Sequence, residues 1–119
     1  MRRAAKVDKN QPEIVKALRE LGVSVVPLHA VGSGCPDLLW GWRNKIGLIE
    51  VKDETGRSTA KYRDLAKCLT KDQHRFHFEF QGPVDVVWNS DEAIAAVMQR
   101  AGDDRGVTIT KTQTVKNED

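Results

Sequence analysis

The stretch "GCPDLLWGWRNKIGLIEVKDE", from Gly34 to Glu54, constrains this chain more than any other. It is apolar enough to form buried strands, yet Asp37 stands near its start and Glu50 and Lys52 near its end. Taking an ionised group out of water is costly unless a partner or a metal compensates it. A fold built on this stretch has to supply that compensation.

The pattern gives two strands, about 37–42 and 46–52, joined by a short turn at Arg43-Asn44-Lys45. In the second strand Ile46, Leu48, Glu50 and Lys52 share one face, and Gly47, Ile49 and Val51 share the other. Apolar groups on both faces mark a central strand covered on both sides. A two-residue turn at Asn44-Lys45 sets Arg43 opposite Ile46, Leu39 opposite Glu50 and Asp37 opposite Lys52. Asp37, Glu50 and Lys52 then converge at one end of one side of the sheet. A slip of one residue sends Asp37 to the other side. Trp40 and Trp42 fall on the face opposite Asp37 and read as core, as does Trp88.

The flanking segments read as layers around this hairpin. "NQPEIVKALRELG" is an amphipathic helix, with Ile14, Leu18 and Leu21 on one stripe. Asn10 and Glu13 have capping-box spacing, Pro12 suits the first turn, and Gly22 ends the helix. "VSVVPL" (23–28) is a β-branched strand whose Pro27 points to a sheet edge or a strand end. "HAVGSGC" is a loop. Residues 53–68 are polar and basic, with a short helix expected around Tyr62–Cys68. Thr70 and Gln73 have capping-box spacing at the start of another helix, whose Phe76 and Phe80 lie one turn apart. Gly82-Pro83 stops it. "VDVVW" (84–88) is a strand, and Ser90 caps a last helix ending near Gly102. The polar tail, 103–119, carries an alternating stretch, "GVTITKTQTV", open to two readings: disorder or an added edge strand. The order α-β-β-β-α-β-α over 1–102 is one α/β or α+β domain, a mixed sheet flanked by helices.

Composition narrows the function classes. A chain of 119 residues holds one domain with a core. No run approaches the roughly 18 apolar residues of a membrane span. "MRRAAKVDKNQ" lacks the apolar centre of a secretory signal, so Cys35 and Cys68 are expected as reduced thiols in a cytosolic chain. Without a CxxC pair, a structural zinc would need an irregular set drawn from His29, His74 and His77. No GxxxxGK[ST] or GxGxxG occurs, which argues against a nucleotide-binding loop. The net charge of +2 hides a surplus of three positive charges over residues 1–9 and of four over 43–75. Such segments fit either a phosphate-binding surface or an ordinary solvated face.

Two carboxylates beside an ammonium suit a hard cation. Oxygen ligands from Asp37 and Glu50, with the Val51 carbonyl as an additional one, match Mg²⁺ or Mn²⁺. Such an ion polarises a phosphodiester and helps generate hydroxide. Lys52 would orient or deprotonate the water, or stabilise charge on the phosphate. Singly, Pro36-Asp37 also reads as a strand-entry dipeptide, and Glu50 with Lys52 as a strand-end ion pair. Their conjunction is what points to chemistry. Arg57, Lys61 and Arg63 in the basic loop are candidate contacts to backbone phosphate, with His74 on the following helix.

"GCPDLL…IEVKDE" resembles the PD-(D/E)xK nuclease motif, with Pro36-Asp37 followed by Glu50-Val51-Lys52. The next loop and "LTKDQHRF" are similar to the VRR-NUC branch, including its small stand-alone phage and bacterial members. In those a Gln on the next helix follows the Glu-x-Lys strand, and Gln73 matches it. The resemblance covers about residues 8–101. It implies a single restriction-endonuclease-like domain and a Mg²⁺-dependent endonuclease hydrolysing DNA phosphodiester bonds. Asp37, Glu50, Lys52 and Gln73 would be catalytic. It further implies branched DNA, four-way junctions included, cut by homodimers like archaeal-type Holliday junction resolvases, in the cytoplasm of a bacterial or phage-infected cell. It places Glu13 near the metal, a role that competes with a plain helix cap, and the same two readings apply to Gln73. The alternatives are a catalytically silent nucleic-acid-binding module of the same fold and a phosphate-handling protein acting on small ligands.

Overall fold

The computed structural model describes residues 9–53 and 64–102. Its strands are β1 (Ser24–Pro27), β2 (Leu38–Trp42), β3 (Lys45–Val51) and β4 (Val84–Val87). Its helices are α1 (Gln11–Leu21), the short α2 (Leu65–Cys68), α3 (Lys71–Glu79) and α4 (Ser90–Arg100). The order is the expected α-β-β-β-α-β-α, with α2 as the short helix before the Thr70 cap, and the class is α+β. Arg57, Lys61, Arg63 and the tail from 103 lie outside the described residues.

The four strands form one sheet in the order β1-β2-β3-β4. β1 and β2 pair antiparallel, as do β2 and β3; β4 adds parallel to β3. A parallel pair needs a long crossover, and the chain from Lys52 to Pro83, which includes α2 and α3, supplies it. β3 is thus interior, and Pro27 sits in an edge strand, where a missing N–H costs no ladder bond.

One face of the sheet carries the core. Val25, Leu38, Trp40, Ile49 and Val51 pack there with Ile14 and Leu18 of α1 and Ala93 and Val97 of α4. Ile14, Leu18, Leu38, Trp40 and Ile49 are fully buried. Each side chain of this kind contributes roughly 1.5–3 kcal/mol of transfer free energy. Gly47 makes room for the largest: a Cβ there would lie 2.7 Å from the Trp40 indole. Trp42 is half-buried, with the Arg43 guanidinium 4.2 Å above its ring. Trp88 is buried as expected.

Three local expectations need correction. The hairpin corner is Arg43-Asn44, not Asn44-Lys45. Both corner residues adopt left-handed backbone, φ 53° and 67°, as a primed two-residue turn requires. The ladder therefore pairs Trp42 with Lys45 and Leu38 with Ile49, two residues away from the expected register. Asn10 caps α1 without a side-chain bond and forms no capping box with Glu13. Its amide instead donates to the carbonyls of Lys52 (2.9 Å) and Trp88 (2.8 Å). Those carbonyls follow the ends of β3 and β4, where the ladder no longer serves them. The cap of α4 is Asn89 rather than Ser90, its side chain accepting from the Glu92 amide at 2.9 Å.

Candidate functional site

The second face of the sheet holds the charged groups. A register error of two keeps every side chain on its own side. Asp37 continues β2 by one residue and so comes opposite Glu50 rather than Lys52. Glu50 and Lys52, two apart along one strand, share its face. The three converge in a cleft of about 210 Å³, together with Val51, Gln73 and the loop residue Cys35.

Asp37 sits immediately before the first residue of β2. Its main-chain carbonyl accepts from the Leu28 amide at 2.7 Å, which ties it to the end of β1. Its Oδ2 accepts from the Val51 amide at 2.7 Å. The side chain thus takes the place of the next strand carbonyl, and Oδ1 is left for a further contact.

Glu50 and Lys52 are only 2% and 8% exposed. Their compensation comes through Gln73. Its Nε2 donates to Glu50 Oε2 at 3.1 Å, and its Oε1 accepts from Lys52 Nζ at 2.9 Å. The direct Lys52 Nζ–Glu50 Oε2 separation is 3.9 Å, longer than a charge-assisted hydrogen bond. One neutral amide therefore stands between the two charges and keeps them from closing on each other.

Gln73 is also a helix cap. Its Oε1 accepts from the Thr70 amide at 2.9 Å, and its own amide donates to Thr70 Oγ1 at 3.1 Å. Cap and site residue are thus compatible roles for this side chain. A capping box accepts Gln or Glu in this place. Here only the amide serves, because a carboxylate would set a second negative charge against Glu50. The Gly-rich loop holds the first turn of α3 close. At Gly34, with φ +78°, a Cβ would overlap the Asp72 carbonyl and lie 2.9 Å from the Gln73 nitrogen.

The surroundings shift nearby groups in known directions. Burial pushes the Cys35 thiol up, reinforced by Glu50 and Asp37. Burial also pushes Cys68 up, with Lys52 working against it. Both cysteines are free. His77 of α3 is pushed down by burial, then by His74 and Lys52.

The other expected site residues lie elsewhere. Glu13 is exposed in the first turn of α1 and does not line the cleft. His74 is exposed on α3 and does not line it either. The cleft adds residues not singled out from sequence for this site, among them His29, Thr70 and Asp72. Thr70 is visible as a cap, but nothing in a lone His after an edge strand signals that it reaches the site. Among the described residues no group of three or more His, Cys, Asp or Glu side chains could hold a metal ion. Asp37, Glu50 and the Val51 carbonyl are nonetheless a fitting donor set for Mg²⁺, which needs one or two carboxylates and keeps waters elsewhere.

Comparison with family models, with curated proteins and with solved structures finds no match for this chain.

Proposed function

We propose that this protein is a divalent-metal-dependent endonuclease that hydrolyses DNA phosphodiester bonds in the manner of PD-(D/E)xK enzymes of the VRR-NUC type. The observation that carries the reading is the Gln73 amide joining Glu50 to Lys52 in the cleft that Asp37 lines. A strand-end ion pair of purely structural value would not need an interposed amide. Mg²⁺ or Mn²⁺ would be held by Asp37, Glu50 and the Val51 carbonyl. When bound, the ion supplies positive charge at a phosphate oxygen and lowers the pKa of a bound water.

The side chains divide the remaining work. Lys52 spends one N–H on Gln73 and keeps the others for a phosphate oxygen on which charge builds up, or for the attacking water. Gln73 fixes the Lys52 ammonium and orients Glu50. The Val51 amide, through Asp37 Oδ2, fixes the carboxylate that faces it. Preference for branched or four-way DNA, action as a homodimer and a cytoplasmic setting belong to the same proposal, supported by the motif resemblance.

The test is incubation of the full chain with duplex, flap and four-way DNA, with Mg²⁺ and with chelator. Metal-dependent cutting, fastest on branched DNA and by a species sedimenting as a dimer, is expected. A protein that leaves every DNA form intact with Mg²⁺ present overturns the reading. Tight DNA binding without cleavage would favour the silent binding module instead.

A further inference from the structure

Among the described residues Phe78 is the most exposed large apolar side chain, at 90%. It stands on the outer side of α3. Helical spacing brings Lys71, His74, Arg75 and Phe78 to one stripe, and all four are exposed. Gln73, Phe76 and His77 take the other side and are partly covered. Phe76 stacks on Phe80 with ring centres 5.1 Å apart, so the aromatic pairing of this helix does not involve Phe78.

The stripe carries free cations. Lys71 and Arg75 form no ion pair or side-chain hydrogen bond among the described residues. Like charges one turn apart weaken a helix slightly, so α3 itself gains nothing from them. Of its two acids, Asp72 lines the cleft, and Glu79 stands at the far end of the helix without bonding Arg75. α3 also closes the stretch 43–75, with its surplus of four positive charges.

A lone aromatic ring among cations does not suit a protein partner. Such partners take contiguous apolar patches, and the cores of their interfaces are depleted of charge. It does suit single-stranded nucleic acid, whose bases stack on an aromatic ring while the backbone meets the cations beside it.

We infer that the outer stripe of α3 holds unpaired DNA next to the cleft. One unpaired base stacks on Phe78, and Lys71 and Arg75 meet the phosphates that flank it. The same helix delivers Gln73 to Glu50 and Lys52, so a strand gripped here lies on the element that fixes them. The inference rests on the nuclease reading for the identity of the ligand. It assigns to Phe78 the discrimination of DNA with unpaired bases from fully paired duplex.

Binding of fluorescent duplex, flap and single-stranded DNA, titrated against salt in chelator, tests it without cleavage. Phe78→Ala should weaken binding of flap and single strand about tenfold, because one stack is lost. Duplex affinity and every salt slope should stay as they are, because no charge is lost. Phe78→Trp should bind at least as tightly as wild type. Lys71→Ala and Arg75→Ala should weaken binding of every form, and each should reduce the salt slope by roughly one. Lys16→Ala, on α1 across the sheet, should bind as wild type does. All of these side chains are exposed, so the variants fold. Equal loss on duplex and flap in Phe78→Ala, or no loss on either, overturns the stack. A wild-type dimer that Phe78→Ala splits in sedimentation assigns the ring to a second copy and overturns it as well. Selective binding through Phe78 in a chain that never cuts DNA sinks the nuclease reading and keeps the stripe. Metal-dependent cutting with wild-type binding in Phe78→Ala, Lys71→Ala and Arg75→Ala sinks the stripe alone. A wild-type chain that binds no DNA removes both.

Discussion

The two faces of the sheet are held by different physics. On one, α1 and α4 close over Val25, Leu38, Trp40 and Ile49, and burial does the work. On the other, α3 approaches the strands with no fully buried residue of its own. Gln73 fastens it through hydrogen bonds to Glu50 and Lys52. Val26 and Ile46 on that face remain 50% and 68% exposed. Apolar packing tolerates no charge and gives stability. The polar face gives up packing and gains an accessible place for charged chemistry. Mutations should therefore separate stability from activity according to the face they touch.

The sharpest contrast comes from the carboxylates. Asp37→Asn or Glu50→Gln should lower Mg²⁺-dependent cleavage by well over about 100-fold, since even partners outside a ligand set cost about 10–100-fold when changed. The melting temperature should barely move, because shape is kept. Cleavage near the wild-type rate in either variant would erase the functional half of the contrast. Lys52→Ala should lose on the order of 100-fold or more in rate while keeping DNA binding in chelator.

Leu18→Ala probes the other face. It should cost about 2–5 kcal/mol in denaturant unfolding, because a fully buried side chain leaves a cavity. Specific activity per folded molecule should stay close to wild type.

A finer pair sits in the capping box. Thr70→Ala removes the cap alone, at about 1 kcal/mol. Gln73→Ala keeps the Thr70 Oγ1 bond, which comes from the main-chain amide of residue 73, and removes the reciprocal bond and both bridges, so it should lower cleavage far more than Thr70→Ala does. Equal activities for the two would mean that the bridge does nothing beyond capping.

The smallest effect concerns pH. Burial holds His77 below its ordinary value of 6.5, so the folded state disfavours the proton. Its contribution to stability is whole above 6.5 and declines as pH falls through 6.5 toward the lower folded value. Amide protection factors in α3 should fall below pH 6.5 more than those in α1, and His77→Phe should flatten that difference.

Much of this was legible in residue order. Period and caps located the helices, and Pro27 marked the edge strand. The convergence of Asp37, Glu50 and Lys52 followed from alternation together with a two-residue turn, whose even length keeps Asp37 on the Glu50 side. The exact corner did not, because Arg43 is an unusual residue for left-handed backbone, which Asn and Gly favour. Stacking on Trp42, a tertiary contact, accompanies it there. Asn10 misled for a similar reason. A nearby Glu13 suggested a local cap, whereas the carbonyls that claim its amide, on Lys52 and Trp88, lie far along the chain. His29 was invisible as a cleft residue, since only the β1–β2 pairing brings it beside Asp37.

The hairpin corner has one more consequence, for how such a chain can change its length. In an unbulged antiparallel ladder, a loop with an even number of residues puts positions of odd separation on one side. Asp37 and Glu50 are 50 − 37 = 13 positions apart. Lengthening or trimming the tip two residues at a time keeps acid and Glu-x-Lys together, whereas an odd change parts them unless a bulge absorbs it. Parity, more than the identity of the corner residues, is what descendants of this chain would have to inherit.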